Sequence, residues 1–230
     1  MANRLAFLPT ELNSSKLYRE ELIEFEWVPG MAISQGRKSV KNLHQAAKEQ
    51  LKVSEILEIS TRSQSPLGVA LSAFNLKLQV LEFVSTVEIA YQSSKVFEGG
   101  GPYVDIFGLT SLQAKKDPRL KDSGNLVEFH FENRIWPLTA SPNFYDYLYI
   151  RGLLDSGEIE NIVRYEAFTD LAFSQNSLKQ KNGKSFNCQA RSAAIFVSLL
   201  SRMQVNQISS FLEKSAIDET GSTEQLKLFS

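Results

Sequence analysis

The stretch VEIAYQSSKVFEGGG, residues 87–101, constrains the chain most. Glu88, Tyr91, Gln92 and Lys95 recur at intervals of three and four, among Val87, Ala90, Val96 and Phe97. At about 3.6 residues per turn these four polar groups fall within about 100° of one another. The spacing predicts one helix over 86–97. Gly99, Gly100 and Gly101 would close it, because glycine tolerates the positive φ of a C-cap and Pro102 cannot continue a helix. A solvated outer face is the simpler account, its Glu–Gln–Lys ladder worth a few tenths of a kcal/mol. The sharper account is a helix that presents an acid, a phenol, an amide and an amine to a pocket. The face is sparsely charged and runs into three glycines, which let a backbone approach a ligand and aim N–H groups at phosphate oxygens. The glycines follow a helix, so they form neither a Rossmann fingerprint nor a P-loop.

The flanking segments place this helix in an α+β chain. Residues 1–35 hold short apolar patches that read as extended. Residues 38–51 carry Val40, Leu43, Ala47 and Leu51 at helical spacing. Residues 54–60 read as a strand, 61–68 as a loop, and 71–85 as strands with a turn near Asn75. Residues 111–118 suit a short helix stopped before Pro118, and 125–138 alternate like a strand or hairpin. Two helices follow over 143–168, then a polar loop at 174–186 and a strongly apolar helix at 187–203. No linker or repeat divides the chain. The expectation is one domain with an N-terminal extension (1–35) and a C-terminal tail (206–230) that partly frays.

Composition excludes several classes. With 230 residues, 43% hydrophobic and 22% charged, the chain can build a sizeable core. A net charge of −1 provides no global field for nucleic acid. One cysteine excludes an intrachain disulfide framework and fits a reducing compartment. With two histidines besides, a zinc site is hard to assemble. No apolar run is long enough to span a bilayer and no signal-peptide core opens the sequence. A cytoplasmic protein with no membrane partner, metal or cofactor is expected.

Other polar residues stand out against apolar surroundings. Asp170 lies between aromatics in AFTDLAF, where an acid is costly unless paired or functional; a turn aspartate is the plainer reading. Asn187 and Arg191, with Gln189 between them, open the apolar helix 187–203. They read as an N-cap with a structurally paired arginine, or as a helix N-terminus aimed at an anion. Ser72 and Asn75 in LSAFN are a structural β-turn or a ligand loop. Cys188 reads as packing, and neither His44 nor His130 as a general base. Two segments are basic and acid-free: 34–48, with Arg37, Lys38 and Lys41, and 174–192, with Lys179, Lys181 and Lys184. Each is a solvated surface or a set of phosphate contacts to nucleic acid.

In order and separation, SAFN, VEIAYQSSKVFE, AFTD and FNCQARSAAIFVSLL resemble the motifs of the NADAR superfamily. With FEWVPGMAISQ and GGGPY the resemblance is closest to the NADAR antitoxins that accompany DarT-type DNA ADP-ribosyltransferase toxins. It implies a mainly helical (YbiA-like) NADAR domain over 36–205 with a small antiparallel sheet. It further implies a glycosidase that hydrolyses an N-glycosidic bond of ADP-ribose, removing it from guanine in DNA and releasing ADP-ribose, with the toxin as cognate partner. Carried over, the motif residues are Glu88, Tyr91, Gln92, Lys95, Asp170 and Asn187. Glu88, Lys95 and Asp170 are the catalytic candidates. Ser72, Asn75, Tyr91, Gln92, the three glycines, Asn187 and Arg191 are expected at the ligand. The chain departs from the family pattern at Leu171 and Ala172, where Trp-Gly is typical, and at Ala190, where glycine is typical.

An N-glycoside departs through an oxocarbenium-like transition state that needs nearby negative charge, a positioned water and a proton for the nitrogen. Glu88 or Asp170 can activate the water. Alternatively a neutral Lys95 attacks the ribose C1 and forms a Schiff-base-like adduct. Two other functions compete: a glycosidase on a small nucleotide or riboflavin-pathway intermediate, and a non-catalytic antitoxin that binds ADP-ribose or the toxin.

Overall fold

Leu5, Ala6, Phe7 and Leu8 are all buried, and they alternate between two cores. Leu5 and Phe7 join one apolar cluster, Ala6 and Leu8 another. Successive side chains of a strand point to opposite faces, so this strand is covered on both. The computed structural model describes residues 1–173, 187–214 and 216–218. In chain order the elements are β1 (Ala2–Leu8), β2 (Arg19–Phe25), α1 (Ile33–Leu51), β3 (Ile56–Glu58), α2 (Pro66–Ala70), β4 (Lys77–Val80), β5 (Phe83–Thr86), α3 (Val87–Ser93) and β6 (Lys95–Phe97). A 3-10 turn at Val104–Gly108 leads to α4 (Ser111–Lys116), α5 (Arg119–Asp122), β7 (Leu126–Phe131), β8 (Arg134–Pro137), α6 (Phe144–Asp155), α7 (Ile159–Ile162) and β9 (Ala167–Thr169). Then come α8 (Gln189–Leu200), α9 (Val205–Glu213) and β10 (Ile217–Asp218).

The first sheet has the order β2–β1–β9–β3. β1 runs antiparallel to β2 and β9, while β3 is parallel to β9, with Glu58 opposite Thr169. On one face α1 packs Val40, Leu43 and Ala47 against Ala6, Ile23, Phe25 and Ala167. On the other face Phe7, Leu57 and Phe168 meet the main core, built on α6 and α8. The second sheet, β10–β8–β7–β6, is antiparallel, and β4 and β5 form a two-stranded antiparallel pair. The centre of the main core is aromatic: Trp136 stands 4.4 Å from Tyr147 and Phe129 4.7 Å from Phe144, between ring centroids.

Several elements differ from the sequence-based expectation. The helix read over 86–97 ends at Ser93. Ser93 and Ser94 both turn their hydroxyls back to the carbonyl of Ala90, at 3.1 and 2.7 Å, which competes with continued helix. Lys95–Phe97 then pairs with β7, so tertiary pairing overrides local helical spacing. The three glycines consequently close a turn after a strand. Gly100 and Phe97 exchange backbone hydrogen bonds, and Gly99 donates to Ser123. Gly101 has φ +103°, and a Cβ there would stand 2.4 Å from the Lys95 carbonyl. In 71–85 the chain makes a turn and then the β4–β5 hairpin, and only Ile159–Ile162 of the second helix, read over 157–168, is helical. The N-cap of α8 is Cys188, with Asn187 exposed before it.

Candidate active site

All seven residues of α3 are buried, so no solvated face exists for the polar motif. Thr86 caps the helix by accepting from the Ile89 N–H, which leaves Glu88 in its first turn. Glu88 is 3% exposed and Gln92 5%. One turn apart, they meet: Gln92 Nε2 donates to Glu88 Oε1 at 2.8 Å. Gln92 Oε1 is buried and has no hydrogen-bond partner among the described residues, so an acceptor is left at the cluster. Tyr91 faces the aromatic core, 5.0 Å from Tyr145 and 5.3 Å from Phe129. Lys95, although on β6, lies with its ammonium 4.6 Å from the Tyr91 ring centroid. The motif therefore stays together across a helix–strand junction.

Asp170 follows β9 and is also buried. It accepts from the Ala172 N–H through Oδ1 and from Gln189 Nε2 through Oδ2, both at 3.1 Å. The other end of the Gln189 amide accepts from the Ala73 N–H at 2.7 Å, and the Ala73 carbonyl accepts from the Glu88 N–H at 2.9 Å. A hydrogen-bonded path thus ties Asp170, the start of α8, the 71–75 loop and the start of α3. Burial pushes the Asp170 carboxyl up to about 6, against hydrogen bonds from Gln189 and the Ala172 and Phe173 backbone and against the Lys115 charge. Burial also raises the Tyr145 phenol well above its ordinary range, and the charges of Glu88 and Asp170 raise it further. Two carboxylates from separate elements therefore act on one neutral, buried phenol.

The remaining predicted residues divide. Ser72 and Asn75 knit their own turn: Ser72 Oγ and Asn75 Nδ2 both donate to the Val69 carbonyl, and Asn75 Nδ2 to Ser72 Oγ. Gly100 spends its N–H within the turn after β6, on the Phe97 carbonyl, and Gly99 donates to the Ser123 carbonyl. Arg191 donates to both carboxylate oxygens of Asp146 at 2.9 Å and lines a separate cleft of about 870 Å³ with Tyr18, Lys16 and Arg202. That cleft does not contain Glu88, Lys95 or Asp170. Arg37, Lys38 and Lys41 lie exposed on α1. Lys179, Lys181 and Lys184 lie outside the described residues, as does the tail beyond residue 218.

Three further residues stand at the cluster, of which sequence reasoning named only Gln189, as a polar residue at the start of the last apolar helix, and gave it no role. Gln189 bridges Asp170 to the 71–75 loop. Lys115, exposed on α4, stands 5.0 Å from the Phe74 ring centroid, and its charge reaches Asp170. Glu58 ends β3 fully buried, and the criterion that marked Asp170, an acid among apolar neighbours, applies equally to Glu58 in EILEIS. Among the described residues no group of three or more His, Cys, Asp or Glu side chains could hold a metal, and no helix is long and apolar enough to cross a membrane.

Compared with known proteins, the sequence matches the family model described as DarT1-associated NADAR antitoxin over residues 2–224. No curated protein matches it.

Proposed function

We propose, since this chain belongs to the family of DarT1-associated NADAR antitoxins, that it is an N-glycosidase removing ADP-ribose from guanine in DNA. Acting in the cytoplasm, it would undo the modification made by a DarT-type toxin and release ADP-ribose. The observation that carries the reading is that Glu88 and Asp170 are both buried and tied to one hydrogen-bonded path through Gln189 and Ala73, with the Lys95 ammonium over the ring of Tyr91 on the Glu88 helix. Buried carboxylates are costly, and retaining two in one cluster is the pattern of acid–base chemistry.

In this reading Glu88, oriented by Gln92, takes a proton from water as its oxygen bonds to the ribose C1. The bond from C1 to the guanine nitrogen breaks, its electron pair stays on the nitrogen, and the nitrogen takes up a proton. Water is added across the bond and no redox partner is needed. The negative cluster stabilises the oxocarbenium-like charge at C1. A cation over a ring face is attracted by the ring quadrupole. That contact favours Lys95 as an ammonium that donates to a ribose oxygen, over Lys95 as a nucleophile. The exposed Arg37, Lys38 and Lys41 are proposed to contact DNA phosphates.

Co-expression with a DarT-type toxin tests the reading. The wild-type chain restores growth, and Glu88→Gln at equal abundance does not. Protection by Glu88→Gln equal to wild type would replace catalysis with sequestration.

A further inference from the structure

The proposed substrate is an anion: it carries a pyrophosphate within ADP-ribose and phosphodiesters beside the guanine. The glycines expected at the ligand do not meet it through Gly99 and Gly100, whose N–H groups go to the Ser123 and Phe97 carbonyls. A cation stands at the border of the cluster instead. The helix α4 is pinned there by Ser111, whose Oγ donates to the Phe74 carbonyl at 3.0 Å and lies 2.9 Å from Thr86 Oγ1, the cap of α3. One turn further along α4, the exposed Lys115 lays its ammonium 5.0 Å from the centroid of the half-buried Phe74 ring. Phe74 directly follows Ala73, whose N–H donates to Gln189 and whose carbonyl accepts from the Glu88 N–H. From this position the Lys115 charge reaches the buried Asp170.

We propose that Lys115 is a binding residue of this site, and that its ammonium holds a phosphate group of the substrate at the border formed by Phe74 and α4. It moves no proton and forms no bond to the ribose. Carboxylates gathered inside the cluster repel an incoming anion, and a cation at the border offsets that repulsion where the phosphates would lie.

The neighbouring cations are committed elsewhere. Arg119 places one guanidinium nitrogen 2.7 Å from both Asp105 and Asp117, and Arg191 is bonded to Asp146. Lys115 has its ring contact and, among the described residues, no ion pair or hydrogen bond. A ring face attracts an ammonium without neutralising it, and the group brings three donors to an anion. Lys116 shares the last turn of α4, where any cation favours the helix end, but it is Lys115 that turns back over Phe74. The pair therefore offers two features of a nucleotide site side by side: a localised positive charge, and an aromatic ring at the edge of the loop that carries the cluster's hydrogen bonds.

This inference rests on the hydrolase reading for the identity of its substrate, and its test separates the two. Lys115→Met keeps an unbranched stem against Phe74 and removes the charge, Lys115→Arg keeps the charge, and Lys116→Gln removes a charge from the same turn. Two probes are titrated into the full-length chain. Free ADP-ribose is followed by calorimetry. An oligonucleotide bearing one ADP-ribosylated guanine is followed by fluorescence anisotropy, in a Glu88→Gln background so that it stays intact. Lys115→Met should weaken binding about tenfold or more, the scale of a hydrogen bond to a charged group. Lys115→Arg should restore most of the affinity, and Lys116→Gln should change little. The gap between wild type and Lys115→Met should narrow as salt rises. Loss with ADP-ribose assigns the contact to the pyrophosphate, and loss with the oligonucleotide alone assigns it to a DNA phosphate. Unchanged affinity for both probes would overturn the proposal, as would a loss that Lys116→Gln reproduces or that is equal at every salt concentration. Binding weakened as expected, in a protein whose wild type hydrolyses nothing, would keep the phosphate contact and sink the hydrolase reading. A wild-type chain that binds neither probe would overturn both.

Discussion

At the scale of single residues, burial turns the polar motif from a pattern into a testable arrangement. Glu88 and Gln92 are held together inside the protein, so Glu88→Gln keeps size and a hydrogen bond but removes the charge that would take the water proton. Turnover should fall by about 10²-fold or more while ADP-ribose binding persists; kinetics and calorimetry on the same preparation check both. Burial also leaves a signature in stability. A carboxyl raised on folding contributes stability that is present below its unfolded midpoint and is lost as pH rises through its folded one. For Asp170 that loss spans roughly its ordinary 3.8 to about 6. His44, depressed to about 4, acts oppositely over an overlapping range, so the informative quantity is a difference between variants. Urea unfolding of Asp170→Asn should show a gain over wild type that grows between pH 4 and 7. Each unit of upward shift is worth about 1.4 kcal/mol, and a pH-independent difference would contradict the burial argument.

At the scale of elements, what was legible depended on whether local spacing or tertiary pairing decided the outcome. The α1 spacing of Val40, Leu43 and Ala47 and the alternation through Phe129 and Phe131 both matched the observed helix and hairpin, because burial against a neighbour follows the same periods. Lys95 sat in a helical register by sequence yet belongs to β6, because pairing with Phe129 is a contact 34 positions away that no window reveals. The glycine run was legible as the end of an element and misplaced as a helix cap. Its demand is steric: Gly101→Ala would put a side chain at φ +103° and against the Lys95 carbonyl. A loss of about 1–3 kcal/mol is expected from strain alone, read by urea denaturation, and a neutral outcome would mean the turn relaxes. On α1, replacing Arg37, Lys38 and Lys41 with Gln should raise KM for a modified oligonucleotide and flatten its salt dependence. Each lost duplex-phosphate contact should remove about 0.9 from the log–log slope. Hydrolysis of ADP-ribosyl guanosine, which lacks flanking phosphates, should be spared; equal effects on both substrates would leave α1 an ordinary solvated surface.

At the scale of the whole molecule, the first sheet separates an α1-covered core from the larger aromatic one, and the polar cluster gathers where β9, the 71–75 loop, α3 and α8 meet. The family was legible from ordered motifs. The placement of Glu58 opposite Thr169 was not, since strands β3 and β9 are 111 residues apart at their facing positions and only the register brings them together. We propose that this cluster hydrolyses the bond between ADP-ribose and guanine in DNA. The most direct measurement is a single-turnover reaction of the purified chain in excess over an oligonucleotide carrying one ADP-ribosylated guanine, read by mass spectrometry. The account predicts stoichiometric free ADP-ribose and restored guanine with wild type, and release slowed about 10²-fold or more by Glu88→Gln. An oligonucleotide that is bound but left intact by wild type, or cleaved equally fast by both, would contradict it.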